Sequence, residues 1–463
     1  MPSTEPTLSP ADVAGSGLCI GCGSCAAQAG PERVAMKLDR YGQLKPSGSG
    51  AWRGRGSPAL ARTCPFSPAA RDEDALSQGL FPAAPHRDPW IGRFETAYVG
   101  HAEEGAFRAA GSSGGMTTWV AAELLRRGLV NGVAHVAASP GEPFFRYTIS
   151  RSEADLRAGA KSRYYPIELS EVIRAIRTTP GRYAVVGIPC FIKAVHLLRA
   201  EEPVLRERIA FTLGLFCGHM KSARMVESFA WQMGTTAQAV AGIDFRVKDP
   251  SRPANWYAAR IALKGGGERR RDWWHMVDGD WGAGFFQNSA CNFCDDVTAE
   301  TADISFGDAW LEPYSSDGRG TNVVVVRSPV IAHLVRTAIE AGRLRLEEVD
   351  ADFVYRTQAA GFRQRREGLA FRLSRRRPGL APRKRVAGAP NLPARRKLIY
   401  LMRAAISAWS HRVFFLARLF EAPRIYTGWA RTALAAYQGF AYSRGRFGAL
   451  VDRVQGAART GGD

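Results

Sequence analysis

The sequence predicts an α/β protein, α+β in parts: a small cysteine-bearing module, then a central domain built on a mixed sheet, then a basic helical tail. Three observations carry that reading. The eight cysteines group by spacing: Cys19, Cys22 and Cys25 as CxxCxxC, Cys64 in a Cys-Pro pair, Cys190 and Cys217 singly, Cys291 and Cys294 as CxxC. From about residue 96 onward, short apolar strand candidates alternate with helical periodicity. Of the formal net charge of +20, roughly +18 lies beyond residue 360, so the body is near neutral and the basicity belongs to the tail.

Residues 15–70 form the first expected domain. Three thiolates at i, i+3 and i+6 on a tight loop can converge on one cubane, and a remote Cys-Pro supplies a fourth ligand. This marks a ferredoxin-like iron–sulfur module with Cys19, Cys22, Cys25 and Cys64 as metal ligands. Between Cys25 and Cys64 the chain is rich in Gly, Ser and Pro, as in Pro46-Ser47-Gly48-Ser49-Gly50, which predicts a loop around a cofactor and no sheet. A disulfide framework suits short secreted chains, not 463 residues that open MPSTEPTLSP, without a basic or apolar leader pattern. Zinc is the chemical rival, because CxxC pairs also bind zinc, although zinc sites usually show two such pairs. A linker is expected at about residues 68–92, around Pro82, Pro85 and Pro89.

The second expected domain covers 93–360. Thr96–Gly100 reads as a strand, Gly111-Ser112-Ser113-Gly114-Gly115 as a loop, Met116–Arg127 as a helix and Gly132–Ala138 as a strand. A Gly- and Ser-rich loop opening a helix offers free N–H groups and a positive dipole end, which suits phosphate. The motif is neither a Walker loop nor GxGxxG. Its plain alternative is a helix cap by Ser112 or Ser113. Ser170 can cap a helix over Glu171–Thr178, and Arg182–Gly187 is a buried strand with Pro189-Cys190 just beyond its carboxyl end. Ile209–Phe216 repeats the arrangement for Cys217-Gly218-His219. Ligands of open α/β sheets gather beyond the carboxyl ends of strands, so Cys190 and Cys217 can meet there. With Cys291 and Cys294 they make a second candidate cluster site. The alternative is four plainly buried cysteines. Ile243–Lys248 and Tyr257–Leu263 can pair as antiparallel strands, Ala302–Asp308 ends in a Gly-Asp turn, and Thr321–Arg327 is a buried strand.

Several separated motifs together resemble one family: CIGCGSC (19–25), GSSGGM (111–116), KSRYY (161–165), VGIPC (186–190), LFCGHMKS (215–222), FRVKD (245–249) and CNFCDDVTAETADISFGDAW (291–310). In this order they are similar to the coenzyme F420 hydrogenase/dehydrogenase beta-subunit family, over roughly residues 15–360. The resemblance implies a flavoprotein oxidoreductase with FAD and 4Fe-4S clusters, two of them here, and coenzyme F420 as a candidate hydride partner. Clusters carry one electron and hydride carriers two, so a flavin must stand between them. The FAD pyrophosphate is then expected on Gly111, Ser112, Ser113, Gly114 and Gly115. Two positions depart from the family pattern: Phe191 where relatives often have Gln, and Ser162-Arg163-Tyr164 where many have Ser-Lys-Tyr.

Other candidates carry a plain alternative each. Lys161 and Arg163 can hold a flavin or substrate phosphate, or form a solvated basic turn. Lys193, one turn past Cys190, is a catalytic candidate near a cluster or the flavin, or a solvent-facing lysine. His219 is a candidate proton donor, or a structural hydrogen-bonding histidine. Asp308 can bond flavin ribityl hydroxyls or cap a helix. Arg246 and Lys248 alternate on a strand and face one side, as an anion site or a solvated face.

The third expected domain is 361–463, a basic linker and helical tail. Arg375-Arg376-Arg377 and Arg383-Lys384-Arg385 predict a disordered linker. Leu398, Met402, Ile406, Trp409, Val413 and Leu416 then mark a helix over residues 395–420. Its arginines and aromatics suit peripheral contact with an anionic membrane, docking on the body, or RNA, the last disfavoured because no aromatic-basic nucleic-acid module is present. No uncharged apolar run reaches the ~18 residues that span a bilayer. The expected protein is therefore cytoplasmic, with association at the inner membrane face. It passes electrons between clusters and FAD, with a ferredoxin-like partner and a small-molecule hydride partner. The open alternatives are a non-catalytic electron-entry subunit and a zinc-stabilised binding protein.

Overall fold

The structure, a computed structural model, describes residues 5–376 and 378–444. The first helix, Pro10–Gly15, is closed by a capping box between Ser9 and Asp12. After the CxxCxxC run the chain forms a hairpin of β1 (Val34–Leu38) and β2 (Leu44–Gly48). Asp39 sets the turn: its carboxylate accepts from the N–H groups of Tyr41 and Gln43, and Gly42 takes a φ of 72°. The open loop expected here is thereby corrected. Pro46 is tolerated because both strands of a two-stranded ladder are edges. Helices Gly50–Gly54 and Pro58–Thr63 follow, and Cys64 caps the second. The expected linker at 68–92 holds a helix, Glu73–Leu80, and a hairpin of β3 (His86–Asp88) and β4 (Gly92–Phe94).

The main sheet begins with β5 (Thr96–Ala102), β6 (Gly132–Ala138), β7 (Phe145–Ser150), β8 (Tyr183–Gly187) and β9 (Ile209–Leu215). A separate three-stranded antiparallel sheet holds β10 (Val240–Val247), β11 (Ala258–Leu263) and β12 (Glu268–Asp272). The chain then returns with β13 (Ile304–Asp308), β14 (Asn322–Val326) and β15 (Leu344–Val349). Eight strands form one mixed sheet in the order β15-β5-β14-β13-β9-β8-β6-β7. The central four, β13, β9, β8 and β6, run parallel, and the outer strands pair antiparallel with their neighbours.

Period-two alternation divides each strand between two layers. Tyr183 and Val185 of β8 face helices Ser170–Thr178 and Pro189–Glu201 and the N-terminal module. Ala184 and Val186 face helices Met116–Arg126 and Pro329–Glu340. Ser170 is the first residue of its helix and not its cap, which is Leu169; its hydroxyl donates to Glu168.

Past the sheet come helices Ala351–Thr357, Ala359–Arg365 and Glu367–Ser374, an irregular segment, and helices Ala394–Leu419 and Pro423–Tyr442. The disorder expected of the basic segment is corrected at Lys384 and Arg385. Their side chains are largely covered, paired with Asp295 at 2.9 Å and Glu300 at 2.6 Å respectively. Arg377 and residues 445–463 of the expected tail lie outside the described residues. Among the described residues no helix is long and apolar enough to cross a membrane.

The Ala394–Leu419 helix docks on the body through a different face from the one its periodicity suggests. Ile399, Tyr400, Arg403, Ile406, Ser410, Phe414 and Ala417 are buried, while Leu398, Trp409 and Leu416 of the expected stripe are exposed. The body offers polar partners to the docked face: Gln287 takes hydrogen bonds from Arg403 and pairs through its carbonyl with His411, and the Ser410 hydroxyl accepts from the Phe286 N–H.

Phe414 anchors this docking, stacked on Trp231 with ring centroids 4.5 Å apart and edge-on to Phe286 and Tyr426. Phe414→Ala is expected to cost about 3–5 kcal/mol in denaturant unfolding. Trp409→Ala, on the exposed face, should stay within about 0.5 kcal/mol. Equal losses from both would refute the assignment of faces.

Candidate functional site

Three groups of residues collect at the carboxyl edge of the parallel strands and beside it. The first is the N-terminal quartet. Cys19, Cys22, Cys25 and Cys64 line one cavity, whose other walls are apolar or backbone: Val13, Leu18, Ile20, Leu60 and Phe66 among them. The intervening glycines are obligatory. Gly21 and Gly23 take φ of 82° and 84°, and a Cβ on Gly21 would meet the Leu44 carbonyl at 2.6 Å. A Cβ on Gly23 would strike the Glu168 carboxylate. Lys45 donates to the Cys19 carbonyl at 2.6 Å, and the Leu169 N–H to that of Cys22 at 2.9 Å. These bonds pin the loop to the hairpin and to the main domain.

The second quartet comes from three segments, as expected from the strand ends. Cys190 lies in the first turn of the Pro189–Glu201 helix after β8, and Cys217 follows β9. Cys291 lies within a short 3-10 helix, Ser289–Phe293, and Cys294 is its C-cap. All four line one cavity together with Met220 and Arg365. The two cavities share a wall, since Ile20 and Phe66 line both.

Burial pushes the Cys22 and Cys291 thiols up to about 11 and Cys217 to about 12, and raises Cys25, Cys64, Cys190 and Cys294 as well. Thiols so placed ionise only against a compensating cation, which a coordinated metal supplies. Each cavity brings four sulfur donors together, the number and type that an iron–sulfur cluster takes. Among the described residues no group of His, Cys, Asp and Glu has the arrangement of ligands around a single metal ion.

The third group is the Gly111–Gly115 loop. Gly115, at φ 82°, is the N-cap of the Met116–Arg126 helix and supplies no side chain. The cap by Ser112 or Ser113 is therefore corrected: the Ser112 hydroxyl accepts from the Ser162 N–H, and that of Ser113 donates to the Thr321 carbonyl. A Cβ on Gly114 would lie 2.8 Å from both the Gly100 carbonyl and the Asn322 side chain. Lys248 donates to the carbonyls of Arg108, Ser113 and Arg319. Burial, with Lys161, Arg246 and Arg108 nearby, pulls Lys248 down to about 8. The loop thus lies beside four cations, three of them paired: Lys161 with Asp244, Arg246 with Asp308 and Arg108 with Asp317.

The remaining candidates fall near these groups. Lys161, at φ 104°, pairs with Asp244 at 3.6 Å, and Arg163 donates to the Ala160 carbonyl. Asp308 caps no helix; its carboxylate receives two 2.8 Å hydrogen bonds from Arg246, which lies over the rings of Tyr257 and Trp310. Lys193 is corrected from a solvent-facing lysine to a buried one, paired with Glu73 at 3.1 Å. His219 is buried against Trp281, with Arg403 at 3.3 Å from Nδ1 and no protein partner for Nε2 among the described residues. Burial, then Lys221, Arg403 and Arg365, hold its pKa well below the usual range, so the ring is neutral. Two residues here carry no isolated sequence signal. Lys221, pulled down to about 7 chiefly by burial, donates to the Phe285 carbonyl beside Trp281. Arg365 reaches the second cavity from beyond residue 360.

The sequence and the fold are both similar to those of known proteins. A curated relative, the coenzyme F420-dependent sulfite reductase of Methanocaldococcus jannaschii, is 24% identical over 255 residues, which is 52% of this chain. The chain spans 37% of that protein's length. A chain of the F420-reducing NiFe hydrogenase complex from Methanosarcina barkeri shares the fold at a TM-score of 0.50 and 16% identity, covering 65% of this chain and 99% of that one. Residues 97–174 match the N-terminal region of the coenzyme F420 hydrogenase/dehydrogenase beta subunit and residues 181–352 its C-terminal region, so the chain belongs to that family.

Proposed function

We propose that the chain is an iron–sulfur flavoprotein oxidoreductase. In this reading residues 15–70 hold one 4Fe-4S cluster, residues 93–360 hold the second and FAD, and residues 361–463 form a cover and helical tail. The gathering of eight cysteines into two four-cysteine cavities with a common wall carries the reading. Bound there, the clusters supply one-electron transfer and FAD couples it to a hydride. Ile20 and Phe66 separate the two cavities with apolar surface and exclude water between them. The loop N–H groups at Gly111–Gly115, with Lys248 and Lys161 beside them, suit the pyrophosphate, and Arg163 a further phosphate. Asp308, held by Arg246, is the acceptor for ribityl hydroxyls. His219, held neutral with Nδ1 accepting from Arg403, presents its Nε2–H as the candidate catalytic hydrogen-bond donor, whereas Lys193, paired with Glu73, orients its surroundings. The names of the relatives favour coenzyme F420 as hydride partner, and a ferredoxin-like protein is the proposed electron partner. An electron-entry subunit is the second reading, favoured by the fold shared with a chain of a hydrogenase complex. Recovery of a stoichiometric partner on pull-down would select it.

Iron, sulfide and flavin analysis of anaerobically purified protein tests the first reading. Cys22→Ala should remove about four irons per chain, and Cys294→Ala a different four. Unchanged iron, or zinc in its place, would reject it. Ser113→Asp should weaken FAD roughly ten- to hundredfold by placing a negative charge beside the phosphates, with iron retained. Stoichiometric FAD in the dilute variant would move the cradle elsewhere.

The tail supports a further proposed contact, with an anionic membrane at the inner face. Leu398, Leu401, Trp409, Leu416, Leu419 and Phe420 are exposed along one stripe of the Ala394–Leu419 helix and the turn after it. Arg412 and Arg424 are exposed beside them, and Glu421 is the sole acid between residues 394 and 444. Such a face suits anionic lipid. The full chain should pellet with vesicles of phosphatidylcholine and phosphatidylglycerol, not with phosphatidylcholine alone. The double variant Leu419→Asp, Phe420→Asp should abolish pelleting. Binding that ignores lipid charge or survives the double variant would overturn this contact.

A further inference from the structure

The two cysteine cavities differ in one respect that no cysteine reveals. The first is lined without any charged side chain. The second is lined by Arg365, the last residue of the Ala359–Arg365 helix, and Arg365 is 3% exposed. One nitrogen, Nη2, donates to the Cys217 carbonyl at 2.6 Å and the Gly218 carbonyl at 2.8 Å. The other two, Nε and Nη1, are buried with no partner among the described residues. No carboxylate pairs with it there, in contrast to Arg246 with Asp308 or Arg385 with Glu300. A buried guanidinium with two unpartnered nitrogens, three N–H donors in all, is costly unless an anion completes it.

We infer that Arg365 complements the negative charge of the group held by Cys190, Cys217, Cys291 and Cys294, donates N–H bonds to it, and makes it the more readily reduced of the two centres. The inference rests on the iron–sulfur reading above and deepens it. Net charge and hydrogen bonds to sulfur set the potential of such a centre: each added electron makes the group more negative, and a fixed cation with aligned donors stabilises that form. The first cavity has no such cation in its wall. A cluster held by each quartet would supply one-electron transfer, and Arg365 beside the second would favour the electron there. The second centre, on the carboxyl edge of β8 and β9, therefore collects electrons that arrive through the N-terminal module. Arg365 lies beyond residue 352, where the family match ends, so this asymmetry belongs to the chain's own C-terminal segment.

The test is an anaerobic redox titration of the full chain followed by electron paramagnetic resonance, with iron counted in each sample. Cys22→Ala identifies the transition of the second centre, because that variant keeps the second quartet alone. Arg365→Met should retain the iron of both centres and shift the second transition to lower potential, leaving the first where it was. Arg365→Lys, which keeps the charge but not the planar fork, should shift it by less. Unmoved potentials with full iron, or equal movement of both, would overturn the inference. So would an Arg365→Lys variant whose second centre loads fully and titrates at the Arg365→Met value. Wild-type protein without iron would instead sink the iron–sulfur reading itself, and this inference with it.

Discussion

A knot of buried charge holds the three parts of the molecule in register. Glu73 from the segment after Cys64 pairs with Lys193, Asp295 beside Cys294 pairs with Lys384, and Arg385 spans Asp295 and Glu300. Arg385 also lies 4.0 Å from Glu73, which joins the pairs into one network. Buried ions are expensive to desolvate, and removing one member of a buried pair typically costs 3–5 kcal/mol. Such a network adds less stability than it adds specificity: the N-terminal segment, the 291–300 loop and residues 383–385 satisfy their charges only when all are in place. Lys384 also lies 5.3 Å from the centre of the Phe66 ring, so the knot abuts the wall between the two cavities.

The main sheet was largely legible because its strands are short apolar runs bounded by Gly, Pro and Asn. β6 and β8 fall where alternation and turn signals put them, and Cys190 and Cys217 follow strand ends as expected. The β1–β2 hairpin was hidden by Pro46 and Gly48, whose propensities oppose a strand but are overridden at an edge by the Asp39 turn. The caps at Ser112, Ser113 and Ser170 failed for a related reason. Those hydroxyls or their neighbours found other partners, and glycine or leucine occupies the cap.

Charged residues were the harder reading. Lys193, Lys384 and Arg385 look solvated in a one-dimensional pattern, because nothing local announces a carboxylate from another segment. The same blindness applies to the long C-terminal helix. Half of its apolar stripe, Leu398, Trp409 and Leu416, points outward, while an arginine, two serines and a histidine join Ile406 in pointing in toward Gln287 and Phe286. Periodicity reports how hydrophobic a face is, and docking depends equally on what the opposing surface leaves unpaired.

The cover over the second cavity also has a consequence in time. A chain leaves the ribosome amino end first. The Cys19–Cys64 module is complete early, whereas Cys291 and Cys294 emerge late and Arg365, Lys384 and Arg403 later still. Before those residues are made the second cavity lacks its Arg365 wall, and the segment that carries Arg365, bonded to the carbonyls of Cys217 and Gly218, must be displaced to uncover that side again. Loading of this centre is thus a matter of biosynthetic order, and a protein produced without its filling would have to open part of its own fold to be repaired.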